Sequence, residues 1–278
     1  MLSLGLNIKQ KDDKLQQVSL EYIFKSIVAP KPEIVELIAH LRRLKSFDTK
    51  AYRNQKTRLP YFVPSLFNPP FRKTENFGSS QYFILDFDHL AENNYGLSAL
   101  KECLAKDSRV ALMFVSPSGD GLKVVVRLSE KIYDCNKYKI VYQEFVRRFE
   151  KMNNILGLAD YSTCDVTRAC FMSYDENAYF NEHSELVDIE KLVNFDNFLE
   201  VQEIEKEIKV VEKKVEKSME KQVLDDDVFG EIRMLMNPIL AKKQEVKKNI
   251  YIPPELEQIV EILIEYLKKF KVNVDEVR

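Results

Sequence analysis

Tyr82, Phe83, Ile84 and Leu85 form an apolar run that ends in Asp86-Phe87-Asp88. Such a run reads as a strand, and side chains two apart on a strand point the same way. Asp86 and Asp88 therefore share one face, a few ångströms apart, where an apolar strand should be finishing its burial. Like charges so placed repel unless a cation sits between them. Whatever fold forms must bring counter-charge to this strand end or leave it in water.

The segments downstream alternate in period. Leu97, Leu100 and Leu104 are spaced by threes and fours, a short helix face, and "RVALMFVS" reads as a buried strand. The turn "PSGDG" leads into "LKVVVRLS", so these two strands form a hairpin. "DCNKYKIVYQEFVRRFEKMNNILG" is an amphipathic helix with Tyr138, Val141, Tyr142, Phe145, Phe149 and Met152 on one stripe and Gly157 as C-cap. "RACFMSYD" then reads as a further strand. Strand, helix, strand, strand, helix, strand is the β-α-β-β-α-β order of RNA-recognition-like folds, and the class is α+β.

Upstream, Val18 to about Leu44 holds two helices separated at Pro30 and Pro32. Residues 60–80, with four prolines, read as an ordered loop or short extended pieces. Between these lies the basic segment "HLRRLKSFDTKAYRNQKTRLP". Near residue 200 the composition shifts. About half of residues 201–222 are Lys or Glu, with Ile204, Ile208, Val211, Val215 and Met219 at helical spacing, which suits a charged helical linker or short coiled coil. Residues 223–278 then read as a helical accessory module, with helices around "VFGEIRMLMNPILAKKQ" and "PPELEQIVEILIEYLKKF". The expected division is 1–200, 201–222 and 223–278.

Composition limits the chemistry. Forty-two basic against 44 acidic residues leave a formal net charge of −2, so a polyanionic partner must be met by a local patch. The four cysteines contain no C-x-x-C pair and the three histidines are scattered, so zinc-ligand spacing is absent and a reducing cytoplasm fits best. No stretch approaches the length of a membrane span, and no membrane partner is expected.

Three elements can carry chemistry. Asp86 and Asp88 suit Mg²⁺, which takes one or two carboxylates together with water and substrate phosphates. In "SPSGDGLKVVV", Ser116 and Ser118 with the glycines let backbone N–H groups and hydroxyls approach an anion, and Lys123 adds a cation on the next strand. In "ADYSTCDVTRACFMSYD", Asp160 or Asp165 can complete a three-acid metal site and Arg168 can grip a phosphate. Each also has a purely structural use: a solvated strand end, a tight hairpin turn, a helix cap with a surface ion pair.

Taken in order, hydrophobic-D-x-D, then S-P-S-G-x-G-L-basic on a hairpin, then D-x4-D-x2-R entering a strand, the segment from about Val18 to Asn181 resembles the archaeo-eukaryotic primase-polymerase superfamily. More narrowly it is similar to the virulence-protein-E amino-terminal domain and the CRISPR-associated primase-polymerases. The resemblance implies that Asp86, Asp88 and a third acid, Asp160 with Asp165 as the alternative, bind two Mg²⁺ or Mn²⁺ ions. It implies that Ser116, Ser118, Lys123 and Arg168 contact the triphosphate of an incoming nucleotide. The implied activity is primer synthesis or extension from nucleoside triphosphates on a single-stranded DNA template, with a helicase or CRISPR or mobile-element proteins as possible recruiters. "KAYRNQKTR" and "FRK" (71–73) are candidates for template or initiating-nucleotide contacts. One departure stands out: most of the superfamily has histidine where this chain has Lys123, and a lysine cannot act as a neutral imidazole. The alternative is a catalytically inactive nucleic-acid-binding domain of a mobile element or defence protein. A D-x-D phosphatase and a topoisomerase-primase nuclease lack their surrounding residues here.

Overall fold

The computed structural model describes residues 1–10, 12–88, 90, 95–197 and 201–206. The chain divides into two units, Met1–Ser218 and Met219–Arg278, and the described residues all belong to the first. Residues 201–206 are helical. The remainder of the charged segment and both expected helices beyond residue 223 lie outside the described residues.

Two antiparallel sheets organise the first unit. The smaller contains β1 (Leu2–Gly5), β2 (Gln16–Val18), β3 (Tyr61–Val63) and, late in the chain, Cys170–Phe171, in the order β2, β1, β3, Cys170–Phe171. Between β2 and β3 run α1 (Leu20–Val28), α2 (Pro32–Phe47) and α3 (Thr49–Lys56). Pro32 opens α2 at a position where a missing N–H costs nothing. Ser19 caps α1 and Asp48 caps α3, each accepting a backbone N–H of the first turn.

The larger sheet contains β4 (Ser65–Phe67), β5 (Phe77–Asp88), β6 (Val110–Val115), β7 (Gly121–Ile132) and a late strand, Tyr179–Phe180. Its order is β4, β5, β7, β6, Tyr179–Phe180. The helix α4 (Leu97–Leu104) links β5 to β6, the Ser-Gly turn links β6 to β7, and α5 (Cys135–Asn153) follows β7. The two late strands are β8 (Cys170–Phe171) and β9 (Tyr179–Phe180).

β5 and β7 are buried on both faces, which is why they read as nearly continuous apolar runs. Phe83, Leu85, Phe87, Val124 and Val126 point to one side and pack with Tyr138, Val141, Tyr142, Phe145 and Phe149 of α5. Phe83 sits edge-on to Tyr138 and Tyr142, with centroids 5.1 and 5.2 Å away. Ile84 and Val125 point to the other side, where Leu112, Phe114, Ile23 and Ile27 of α1, Phe62 of β3 and Cys170 of β8 form a second core. Asp86 and Asp88 continue the Ile84 side, at the end of the face turned toward the smaller sheet.

The structure departs from expectation in four places. The strand expected in "RACFMSYD" is only Cys170–Phe171, and it joins β3 in the smaller sheet. Beside β5, where the last strand of a β-α-β-β-α-β unit would close the sheet, stands β4 from earlier in the chain. Helix α5 ends at Asn154, whose φ of 56° makes the left-handed cap expected of Gly157. Met152 is 69% exposed, and Ile155, carried back by that turn, enters the core instead. The strands β1 and β2 and helix α3 were not legible as elements. Among the described residues no helix is long and apolar enough to cross a membrane.

Candidate functional site

The antiparallel register of β5 and β7 sets Asp86 opposite Lys123 and Asp88 opposite Gly121. The Lys123 ammonium contacts Asp86 Oδ2 directly and lies 3.8 Å from Asp88 Oδ2. The counter-charge demanded by the acid pair is thus supplied by the chain itself. The Lys123 side chain is 8% exposed and that of Asp86 13%, whereas Asp88 opens to solvent at 41%. Burial disfavours the ammonium, but Asp86 and Asp88 outweigh it and hold Lys123 above the ordinary lysine value, so it stays charged. The Asp86 carboxyl is pushed up by burial, with Asp88 and Asp160 adding to the effect and Lys123 opposing it. The direct contact makes the ion pair the state that sets the charge here. Asp86 Oδ1 is buried and has no hydrogen-bond partner, an arrangement costly enough to call for a cation or water.

The turn between β6 and β7 is closed by the Ser116 N–H donating to the Gly121 carbonyl at 2.8 Å and the Gly119 N–H to the Ser116 carbonyl at 3.0 Å. Gly119 has a φ of 81°, which favours glycine. The Ser116 and Ser118 hydroxyls lie 2.8 Å apart. A Cβ on Gly121 would come within 2.5 Å of Asp88 Oδ1 and 2.9 Å of both the Phe87 carbonyl and the Ser116 hydroxyl. Ser116 is buried. Ser118 lines a small pocket with Asp88, Asp120, Lys45, Tyr52 and Lys56.

The third element is tied to the first through the backbone. The Asp160 N–H donates to the Asp86 carbonyl at 2.8 Å. The Asp160 carboxylate accepts from the Ser162 N–H at 2.9 Å, capping the 3-10 turn Tyr161–Thr163, and lies 3.7 Å from Arg168 Nη2. Asp165 folds onto its own turn, accepting from the Thr167 N–H at 2.8 Å and the Thr167 hydroxyl at 3.0 Å. Among the described residues no three His, Cys, Asp or Glu side chains stand close enough together to hold a metal ion. The expected third acid, Asp160 or Asp165, is therefore not assembled with Asp86 and Asp88 in this structure.

A cleft of about 420 Å³ runs past these groups, lined by Asp86, Asp88, Lys123, Asp165 and Arg168. Asp160, Ser116 and Ser118 do not line it. Two further cations do: Lys56 from α3 and Arg72 from the β4–β5 connection. The Lys56 ammonium is pushed below the ordinary lysine value by burial and by Lys123, against the pull of Asp88 and Asp86. It lies 5.4 Å from the Phe171 ring and 5.7 Å from the Tyr52 ring. Arg72 donates from Nη1 to the Thr167 carbonyl at 3.1 Å, covers the Tyr61 ring at 5.5 Å, and has a buried Nε without a partner. Both residues fall in basic segments that the sequence marks, but nothing local singles them out. The available cue for Lys56 was Tyr52, one helical turn before it and on the same face.

Residues 54–180 match the family described as BT4734-like, N-terminal domain. This span, a little under half of the chain, includes Asp86, Asp88, Ser116, Ser118, Lys123, Asp160, Asp165 and Arg168. No curated protein matches the chain. Among solved structures, the AEP domain of the cyanophage S-2L primase-polymerase is similar at 13% identity over 52% of this chain and 75% of that one, with a TM-score of 0.33. That likeness is too loose to bear on fold or chemistry.

Proposed function

We propose that this chain is a nucleotidyltransferase of the primase-polymerase type, making or extending primers from nucleoside triphosphates on single-stranded DNA. The observation that carries the reading is the unpartnered Asp86 Oδ1 beside Asp88 in a cleft that also holds Lys56, Arg72, Lys123 and Arg168. An acid pair with a vacant acceptor suits Mg²⁺ or Mn²⁺, with Asp86 and Asp88 as ligands and Asp160 as the third acid on substrate binding. A divalent ion held there would activate a 3′-hydroxyl and offset the charge of departing pyrophosphate. The protein's own part is position and charge. Arg168 and Arg72 offer planar guanidinium groups to phosphate oxygens, and Lys56 a point charge. The missing side chain of Gly121 leaves room for Asp88 Oδ1, and the Asp160 N–H ties the third loop to the strand bearing Asp86. Recruitment by a helicase or by CRISPR or mobile-element proteins belongs to the same reading.

A second reading, a nucleic-acid-binding domain without catalysis, is favoured by one observation: Lys123 occupies Asp86, and among the described residues no third acid joins the pair. Primer synthesis on single-stranded template with labelled nucleotides and Mg²⁺ or Mn²⁺, run beside the Asp86→Ala, Asp88→Ala double variant, separates the two. Dinucleotide or longer products that vanish in the variant are expected. Absence of products from the wild-type chain, with DNA binding unchanged in the variant, leaves the binding domain.

A further inference from the structure

Resting on the nucleotidyltransferase reading, we infer that the cleft takes a single divalent ion and that the Lys123 ammonium stands in the place of a second. The inference starts from which carboxylate oxygens remain available. Asp86 Oδ2 is held by the ammonium, whereas Asp86 Oδ1 is buried and unpartnered and the Asp88 carboxylate opens to solvent. Those leave donors for one ion. A second would have to share Asp86 Oδ2 with the ammonium or draw on another acid. Of the acids nearby, Asp165 is folded onto Thr167, and Asp160, which caps its own turn and faces Arg168, adds on substrate binding one donor to the same ion.

Charge leads to the same count. Asp86, Asp88 and Lys123 together carry one negative charge. One divalent ion turns that to one positive charge facing a triphosphate. A second would stand against an ammonium bound to the same carboxylate, in surroundings where burial strengthens repulsion. The lysine has little room to withdraw, since its side chain is enclosed and Lys56, which repels it, lines the same cleft.

The test counts ions and does not depend on turnover. The full chain is titrated with Mn²⁺ in the presence of a nucleoside triphosphate whose α,β-bridging oxygen is replaced by NH, and bound metal is read by electron paramagnetic resonance. The wild-type chain is expected to bind one Mn²⁺ and Lys123→Met two, while the Asp86→Asn, Asp88→Asn double variant binds none. Lys123→Gln, which keeps a polar tip beside Asp86, replaces the Met variant if that one does not fold. Two ions in the wild-type chain overturn the inference and leave the nucleotidyltransferase reading standing. One ion in both wild type and the Lys123 variant also overturns it, because the ammonium then excludes nothing. No ion bound by any form removes the metal-dependent reading itself.

Discussion

Gly121 is where the backbone and the acid pair compete for the same space. It faces Asp88 across the strand pair, and an added methyl would meet Asp88 Oδ1, the Phe87 carbonyl and the Ser116 hydroxyl, all inside 3.0 Å. Two of the three belong to the site and the third is backbone, so relief requires either the carboxylate or the strand to move. Gly121→Ala should therefore cost about 1–3 kcal/mol of stability, in the range of overpacking substitutions, and should displace Asp88. Urea unfolding would read the first effect and Mn²⁺ affinity the second. Unchanged affinity would mean that Asp88 does not need its present position. Gly78, whose added Cβ would meet only the Leu66 carbonyl at 3.2 Å, is the contrasting position, where an alanine should leave metal affinity alone.

At the scale of elements, the loop after α5 is fastened from the helix. Glu150, 1% exposed, accepts from the Gly157 N–H at 3.1 Å, the Ala159 N–H at 2.6 Å and the Tyr161 hydroxyl at 2.7 Å. Tyr142 extends the fastening: its hydroxyl donates to the Ile84 carbonyl and accepts from the Thr163 hydroxyl, whose oxygen also lies 2.7 Å from the Asp160 carbonyl. Glu150→Gln replaces one acceptor oxygen by an NH₂ group that faces these donors, so it should destabilise the fold by about 1–3 kcal/mol, the cost of leaving buried groups unpaired. Faster amide exchange at Gly157 and Ala159 than elsewhere would tie the loss to this loop, and uniform exchange would not. The same loop explains what sequence could and could not show. The apolar runs of β5, β6 and β7 and the stripe of α5 are local patterns, and so is the D-x-D. The destination of Cys170–Phe171 was hidden, because it depends on a loop held by Glu150 and Asp160 and not on any period. β1 and β2, of four and three residues, are too short to show one. Lys56 and Arg72 reach the cleft only once α3 and the β4–β5 connection have packed, so their basic segments were visible while their roles were not.

For the whole molecule, a net charge of −2 means that DNA cannot be drawn in by the overall field. On the proposed function, affinity for a single strand comes from local cations, and those of the cleft are unequal. Lys123 is neutralised by Asp86, whereas Lys56, Arg72 and Arg168 line the same space with Asp88 and Asp165. Each cation that meets a phosphate releases condensed counterions, which for single strands contributes about 0.7 to the slope of log K against log salt. On the proposed function, Arg72→Ala should weaken binding of a single-stranded oligonucleotide at low salt and reduce that slope by about 0.7. Lys25→Ala, which removes an exposed cation paired with Glu21 on α1 and outside the cleft, should leave the slope alone. Fluorescence anisotropy over a salt series measures both. Equal slopes for the wild-type chain and Arg72→Ala would take Arg72 off the strand's path and confine the template to another face. A loss in both variants would mean that the strand is held by the diffuse basic surface, with the cleft reserved for the nucleotide.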